Sequence, residues 1–375
     1  MRKSLAEHAA NYAARPVERY AWAGCAVVAP GFALASDVAP HKVWGFAAGA
    51  GYAVAALLMS GSGARRRARA AAVLGAVVVP LVGLVTARLG QLEVAVVERS
   101  GRLLATTGSP YVTDPSAVAD FNPYLPGMAL FGLLPGDARW WLGAVFVAAL
   151  AGAGLHSAWL LACPLVALPL AVGGVDLPVV GLMCLGVSLA GQRRTGPAGL
   201  VLGAAAVLKW TAWPAFPVVL ALITVRQGGR AALRCAAVGL SIVTVSVLPF
   251  VLADPHGFYL NVAAFPLGLT GTASPAASPL PGHLLAAHVP GGTLIAPALL
   301  SAAALLFALS LAVRPPGTVR DAGGRLALGL AVATALMPAT RFGYLVYPLV
   351  LGALAHRSAD RGTAVTPSEK KEAIA

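Results

Sequence analysis

Glu93 to Gly127 reads EVAVVERSGRLLATTGSPYVTDPSAVADFNPYLPG and holds four of the chain's fourteen acids, between two strongly apolar regions. A polar stretch of about thirty-five residues, flanked by runs near the ~20 residues that cross a bilayer, belongs on one side of a membrane. We read it as the first large non-cytoplasmic loop. Working outward, the 375-residue chain is 58% apolar and only 11% charged, with a mean hydropathy of +0.78. Soluble domains carry roughly 25% charged residues. The sequence therefore predicts an all-α fold: a polytopic transmembrane helical bundle of about 10–12 spans, short and re-entrant helices included. Glycine (42) and proline (28) are abundant, so kinked and broken helices are expected.

The formal charge of +13 raises a nucleic-acid partner, but the basic residues come in short clusters between apolar runs. That pattern sets membrane orientation and points to the lipid bilayer, with no nucleic acid. Of the 27 Lys and Arg, seven fall outside (Lys42, Arg88, Arg99, Arg102, Arg139, Lys209, Arg341) and the other twenty inside. Both termini are then cytoplasmic, in a multi-pass plasma-membrane protein. The domain reading is a cytoplasmic N-terminal tail over 1–19 and a single transmembrane domain over 20–355, with outer loops at 89–125 and 254–293. A disordered cytoplasmic tail over 356–375 follows. The charged lead before the first apolar run lacks a signal-peptide pattern.

The first spans are Tyr20–Val38, Val43–Ser60 and Ala70–Leu89. Pro126–Leu134 is too short to cross, and Trp140 and Trp141 open the fourth span as an interfacial anchor. Ala158–Val172 and Leu177–Ala190 form a hairpin whose tip is Gly173-Gly174-Val175-Asp176. Between Arg194 and Arg226 the basic flanks require an even number of crossings, which puts Lys209 near the tip of a short hairpin. Arg341 occupies the tip of the last hairpin. The four cysteines show no CxxC or Cys/His spacing, no metal cluster is visible, and no cofactor is assigned.

Ionisable residues at membrane depth usually face a cavity or a partner. Glu93, Asp176, Lys209 and Arg341 all reach the outer ends of spans. Singly, each fits a snorkelling side chain or a structural ion pair. Together they suit a reaction in which a carboxylate activates a hydroxyl and cations hold a phosphate. Glu98 stands five residues from Glu93, so the two would not share a helix face. Asp120 opens the proline-braced turn Asp120-Phe121-Asn122-Pro123-Tyr124-Leu125-Pro126-Gly127, whose Asn122 amide and Tyr124 phenol can meet sugar hydroxyls; a plain helix-entry loop fits as well. His283, in Ser278-Pro279-Leu280-Pro281-Gly282-His283, can donate to a phosphate or simply decorate a loop. No Walker loop, dinucleotide fingerprint, HExxH or nucleophile elbow appears.

An outer-loop acid, Gly108-Ser109-Pro110-Tyr111 and Asn122-Pro123-Tyr124-Leu125-Pro126-Gly127 resemble the D…GxxLY…YPP layout of glycosyltransferase family 87. The likeness runs on through Val175-Asp176-Leu177-Pro178-Val179, Lys209-Trp210-Thr211-Ala212-Trp213-Pro214, Phe265–Thr270, Ser274–His283 and Arg341-Phe342-Gly343-Tyr344, similar to actinobacterial members. It covers about residues 70–355. The family's loop acid is typically Asp, whereas the matching position here is Glu93, so the role of base falls among Glu93, Asp120 and Glu98. The resemblance implies a GT-C fold and transfer of a mannose- or arabinofuranose-like sugar from a polyprenyl-phosphate donor to a glycan or glycolipid acceptor, with inversion. It also implies substrate binding by Asn122, Tyr124, Asp176, Lys209, His283, Arg341 and Tyr344. The rival readings are a transporter or lipid-linked-sugar flippase, which would show internal repeats, and a non-catalytic scaffold.

Overall fold

A computed structural model describes residues 2–59, 64–272 and 275–363; in the terminal helices, side chains are described from residue 16 and up to residue 358. Among the described residues the chain is helical throughout, with no strand and one isolated bridge, between Ala277 and Thr340. The helices are α1 (Arg2–Ala35), α2 (Ala39–Leu58), α3 (Ala64–Thr86), α4 (Leu92–Thr107) and α5 (Ala138–Gly152). Then come α6 (Ala158–Ala162), α7 (Pro164–Val172), α8 (Asp176–Gly191), α9 (Thr195–Ala206) and α10 (Ala215–Gln227). Last are α11 (Gly229–Ala253), α12 (Pro281–His288), α13 (Gly292–Val313), α14 (Val319–Leu336) and α15 (Val346–Thr363). Three of these, α3, α11 and α13, are each long and apolar enough to cross a membrane.

Several boundaries differ from the sequence expectation, each for a local reason. The loop over 89–125 contains α4, because Val94, Val97 and Gly101 recur at helical spacing and Val94 and Val97 are buried. The expected span Ala158–Val172 is broken at Cys163, which is extended at φ −60°, ψ 131°. Pro164 follows it, and the residue before a proline is pushed out of the helical region. The lead over 2–19 belongs to α1, and α15 runs on past His356 to Thr363. The remaining tail, 364–375, and Ser274 lie outside the described residues.

The contacts divide the chain into two compact units where the sequence suggests one domain. The first comprises residues 1–95, 136–143 and 156–177. Small residues line its core: Ala48, Ala55, Ala68, Ala72 and Ala76 are fully buried, as expected where helices meet without a hydrophobic drive between them. A π-helical turn over Leu74–Val78 interrupts α3 just before Pro80. Proline has no N–H for the Ala76 carbonyl four residues back, and the Trp44 indole N–H donates to that carbonyl instead at 2.8 Å. At the other end of α3, Glu18 is buried between Arg65 and Arg69 at 2.9 and 2.7 Å. Arg65 and Arg69 thus tie α1 to α3.

The second unit comprises residues 96–135, 144–155 and 178–375. In it α9 packs along α11, and α14 along α15. The turn after α4 is drawn in by a close backbone approach. A Cβ on Gly101 would fall 2.2 Å from the Gly132 carbonyl carbon, and one on Gly132 2.2 Å from the Val97 oxygen. Only glycine permits that contact, which seats the single helical turn Leu130–Leu133 against α4.

Candidate functional site

The second unit breaks its helical run between α9 and α10. Lys209 there is extended (φ −159°, ψ 147°) and is followed by a 3-10 turn over Trp210–Ala212. The break falls where the sequence puts a chain reversal. The exposed backbone of the break finds a partner in the Asn122–Gly127 turn: Leu125 N donates to Leu208 O at 3.1 Å and Gly127 N to Val207 O at 3.0 Å. The pairing brings Tyr124 to Lys209, whose ammonium lies 5.8 Å from the Tyr124 ring centroid and 4.7 Å from that of Tyr344. Both distances fall within the range over which a ring face attracts a cation. Tyr344 is presented by the 3-10 turn Phe342–Leu345, and its N–H donates to Arg341 O at 3.0 Å. The segments carrying Lys209, Tyr124, Arg341 and Tyr344 are therefore held as one group.

The Asn-Pro-Tyr turn is fixed from beneath. The Asn122 amide donates to Ser100 Oγ at 2.9 Å and to Pro110 O at 3.2 Å, and its Oδ1 accepts from Tyr124 N at 3.1 Å. Both amide protons are used and the side chain is buried, so Asn122 shapes the turn. Asn261, which the sequence reading passes over, completes the base. Its Oδ1 accepts from Asn122 N at 2.8 Å, and its amide donates to Val112 O and Gly257 O. Arg99 caps the same turn by donating to the carbonyls of Ala119, Asp120 and Phe121. Phe121 stacks on Phe265 at 4.3 Å.

Asp120 is engaged locally. Ala117 N, Ser116 N and the Ser116 hydroxyl all donate to its Oδ2. The hydrogen bonds from the Ala117 and Ser116 amides hold its carboxyl below the usual range. A carboxylate so stabilised is a weaker proton acceptor. Glu98 lies on α4 in this unit, partly exposed. His283 Nδ1 is 2.9 Å from Pro338 O. A carbonyl only accepts, so Nδ1 is the donor in this contact. His283 lies on α12 and not in a loop, and the segment leading into that helix is pinned to the Arg341 segment: Ser278 N donates to Thr340 O, Thr340 N to Ala276 O, and Phe342 N to Ser278 Oγ. Beneath Tyr344, the Tyr347 hydroxyl meets Thr211 Oγ1 at 2.5 Å, a second contact between the last hairpin and the Lys209 break that had no motif to announce it.

Glu93 and Asp176 belong to the first unit. Glu93 sits in the first turn of α4, where a carboxylate complements the positive end of the helix. Asp176 opens α8 after Gly173, whose φ of 96° makes the left-handed end of α7. The two segments meet: Gln91 Nε2 donates to Gly173 O at 3.5 Å, and a Cβ on Gly173 would fall 2.3 Å from Val94 Cγ2 and 2.7 Å from Arg139 Cγ. Arg139 is fully buried there. It pairs with Asp137 at 2.7 Å and donates to Leu89 O and Leu84 O. Of the four ionisable residues singled out in the sequence, Glu93 thus shares a neighbourhood with the Asp176 turn, and Lys209 with the Arg341 segment.

No family model matches the chain, and no curated protein does. Among solved structures it is similar to ArnT from Cupriavidus metallidurans in the apo state, at 19% identity and a TM-score of 0.44 over 72% of this chain and 55% of that one. It is also similar to ArnT from the same organism bound to undecaprenyl phosphate, at 20% identity and a TM-score of 0.48 over 77% of this chain and 59% of that one. The chain spans a little over half the length of the structures it matches.

Proposed function

We propose that this chain is an integral-membrane glycosyltransferase of the GT-C type, similar to glycosyltransferase family 87. In this reading it moves a mannose- or arabinofuranose-like sugar from a polyprenyl-phosphate donor to a glycan or glycolipid acceptor at the outer face of the plasma membrane. The observation that carries the reading is Lys209, held at a helix break in an apolar chain with the faces of Tyr124 and Tyr344 about its ammonium. A cation at the end of apolar helices suits a phosphate whose tail remains in the bilayer, and phenol faces suit the carbon face of a sugar. Arg341, on the segment that bears Tyr344, supplies a second cation.

In the proposed step an acceptor oxygen forms a bond to the anomeric carbon as the bond from that carbon to the phosphate oxygen breaks. Polyprenyl phosphate leaves with the electron pair, its charge held by Lys209 and Arg341, and a carboxylate takes the acceptor's proton. We assign the base to Glu93, with Glu98 as the next choice. The three donors on Asp120 make it the least suited of the three.

The test uses purified full-length protein in nanodiscs, incubated with radiolabelled polyprenyl-phosphate sugars and membrane acceptors. Glu93→Gln is expected to keep donor affinity and lose about 10²–10⁴-fold in turnover, the range for loss of a general base. Glu98→Gln, Asp120→Asn and Asp176→Asn provide the comparison. Retention of more than about a tenth of turnover by Glu93→Gln, with loss in Asp120→Asn, moves the base to the turn. If the native protein transfers no sugar from any donor, the proposal fails. Orientation is tested separately: cysteines at Ser116 and Ser278 should react with an impermeant thiol reagent on intact cells.

A further inference from the structure

The end of the second unit remote from Lys209 carries a feature that sugar transfer does not use. From Lys209 the helices α9 and α10 run about 18–20 Å to Arg194 and Arg226, where three connections meet. Gln227 Nε2 donates to Ala190 O at 3.3 Å, Arg226 donates to Gly317 O at 3.3 Å, and Val319 lies so close to Gly191 that a Cβ there would fall 2.2 Å from Val319 Cγ2. These contacts gather Arg193, Arg194, Arg226, Arg230, Arg314 and Arg320, all exposed. The acid among them, Asp321, accepts from the Thr318 hydroxyl at 2.8 Å as part of the cap that starts α14.

Two details distinguish this end from a loop that is merely basic. Arg193 has a φ of 63°, at a helix C-terminus where glycine or asparagine ordinarily takes the left-handed conformation. An arginine there keeps a guanidinium at the cost of backbone strain. The arginines also stand at an oil-to-water boundary: Val225, Leu233 and Val313, beside Arg226, Arg234 and Arg314, are 52%, 70% and 68% exposed. That is the depth of lipid phosphates, and the planar guanidinium fork matches two phosphate oxygens at once.

We infer that this convergence of the 190–194, 226–230 and 314–320 connections is a binding surface for anionic phospholipid headgroups, independent of the proposed sugar transfer. The full chain, purified in a neutral detergent, is exposed to phosphatidylglycerol, phosphatidylcholine or glycerol phosphate. Retained lipid is counted by native mass spectrometry and thermal stability is followed in parallel. Phosphatidylglycerol is expected to be retained and to raise Tm, while phosphatidylcholine and glycerol phosphate do neither.

Arg193→Gln/Arg320→Gln should lower phosphatidylglycerol retention about tenfold. Arg66→Gln/Arg67→Gln, which removes the same charge from the first unit, should change it less than about twofold. If the first pair fails to fold, Arg194→Gln/Arg230→Gln carries the same expectation. Equal losses from both units would reduce the effect to bulk charge and overturn the inference. So would retention unaffected by either pair, or stabilisation by glycerol phosphate equal to that by the lipid.

Discussion

Arg139 and Lys209 look alike in the sequence: each is a single cation beside an apolar helix. Their surroundings separate them. The Arg139 guanidinium is enclosed by the Asp137 carboxylate and the carbonyls of Leu84 and Leu89, so its hydrogen-bonding capacity is used in holding the first unit together. Lys209 is partly exposed, and its contacts include the faces of two phenols, which attract a cation without neutralising it. A buried cation among acceptors holds structure; the ligand role proposed for Lys209 rests on its greater exposure and on the rings beside it.

The largest effect should come from breaking the first member of this pair. Arg139→Ala leaves Asp137 without its partner and should cost about 3 kcal/mol or more, seen as a fall in Tm in detergent. Asp137→Asn/Arg139→Met, which removes both charges, should recover part of that loss. A double variant no more stable than Arg139→Ala would deny the pair its structural role. Lys209→Ala should leave Tm nearly unchanged and weaken donor binding roughly ten- to a hundredfold, the worth of a charge-assisted contact. A large fall in Tm with donor affinity retained would move Lys209 into the same class as Arg139.

Smaller effects sharpen the contrast. Tyr344→Leu should weaken donor binding by about threefold, as expected for loss of a cation–ring contact of ~0.5–1 kcal/mol, while Tyr344→Phe keeps the ring and should be near native. Burial alone would raise the Asp137 carboxyl, but hydrogen bonds from the Arg139 side chain and backbone outweigh it and hold the group below its ordinary value. A carboxyl lowered in the folded state contributes stability fully present above its unfolded value of about 3.9 and lost as pH falls through its folded one. Unfolding followed between pH 5 and pH 2 should therefore show a small acid-side loss that Asp137→Asn removes.

Features set by local chemistry were legible in the sequence. The break at Lys209 follows from basic flanks on both sides of one apolar run. The turn at Gly173 follows from paired glycines before an acid, and the Asn122–Gly127 turn from its prolines. Features set at long range were not. Asn261 lies 139 positions from the residue it supports and no motif surrounds it. Tyr347 meets Thr211 across 136 positions. The enclosure of Arg139 is a third case, because its carbonyl partners, 50 and 55 residues upstream, leave no trace in spacing. Helix α4 was hidden by Glu93, Glu98, Arg99 and Arg102, spread around it rather than along one face, which made a helix read as a polar loop.

The bridge between Ala277 and Thr340 gives the second loop a different status from a flexible cover. Its backbone is stitched to the strip that carries Arg341, one residue further on, so the loop and that strip shift together. A graft exchanging residues 275–280 would replace the backbone held beside the Arg341 segment. Under the proposed sugar transfer, specificity should then travel with that short graft, even though none of its residues is charged.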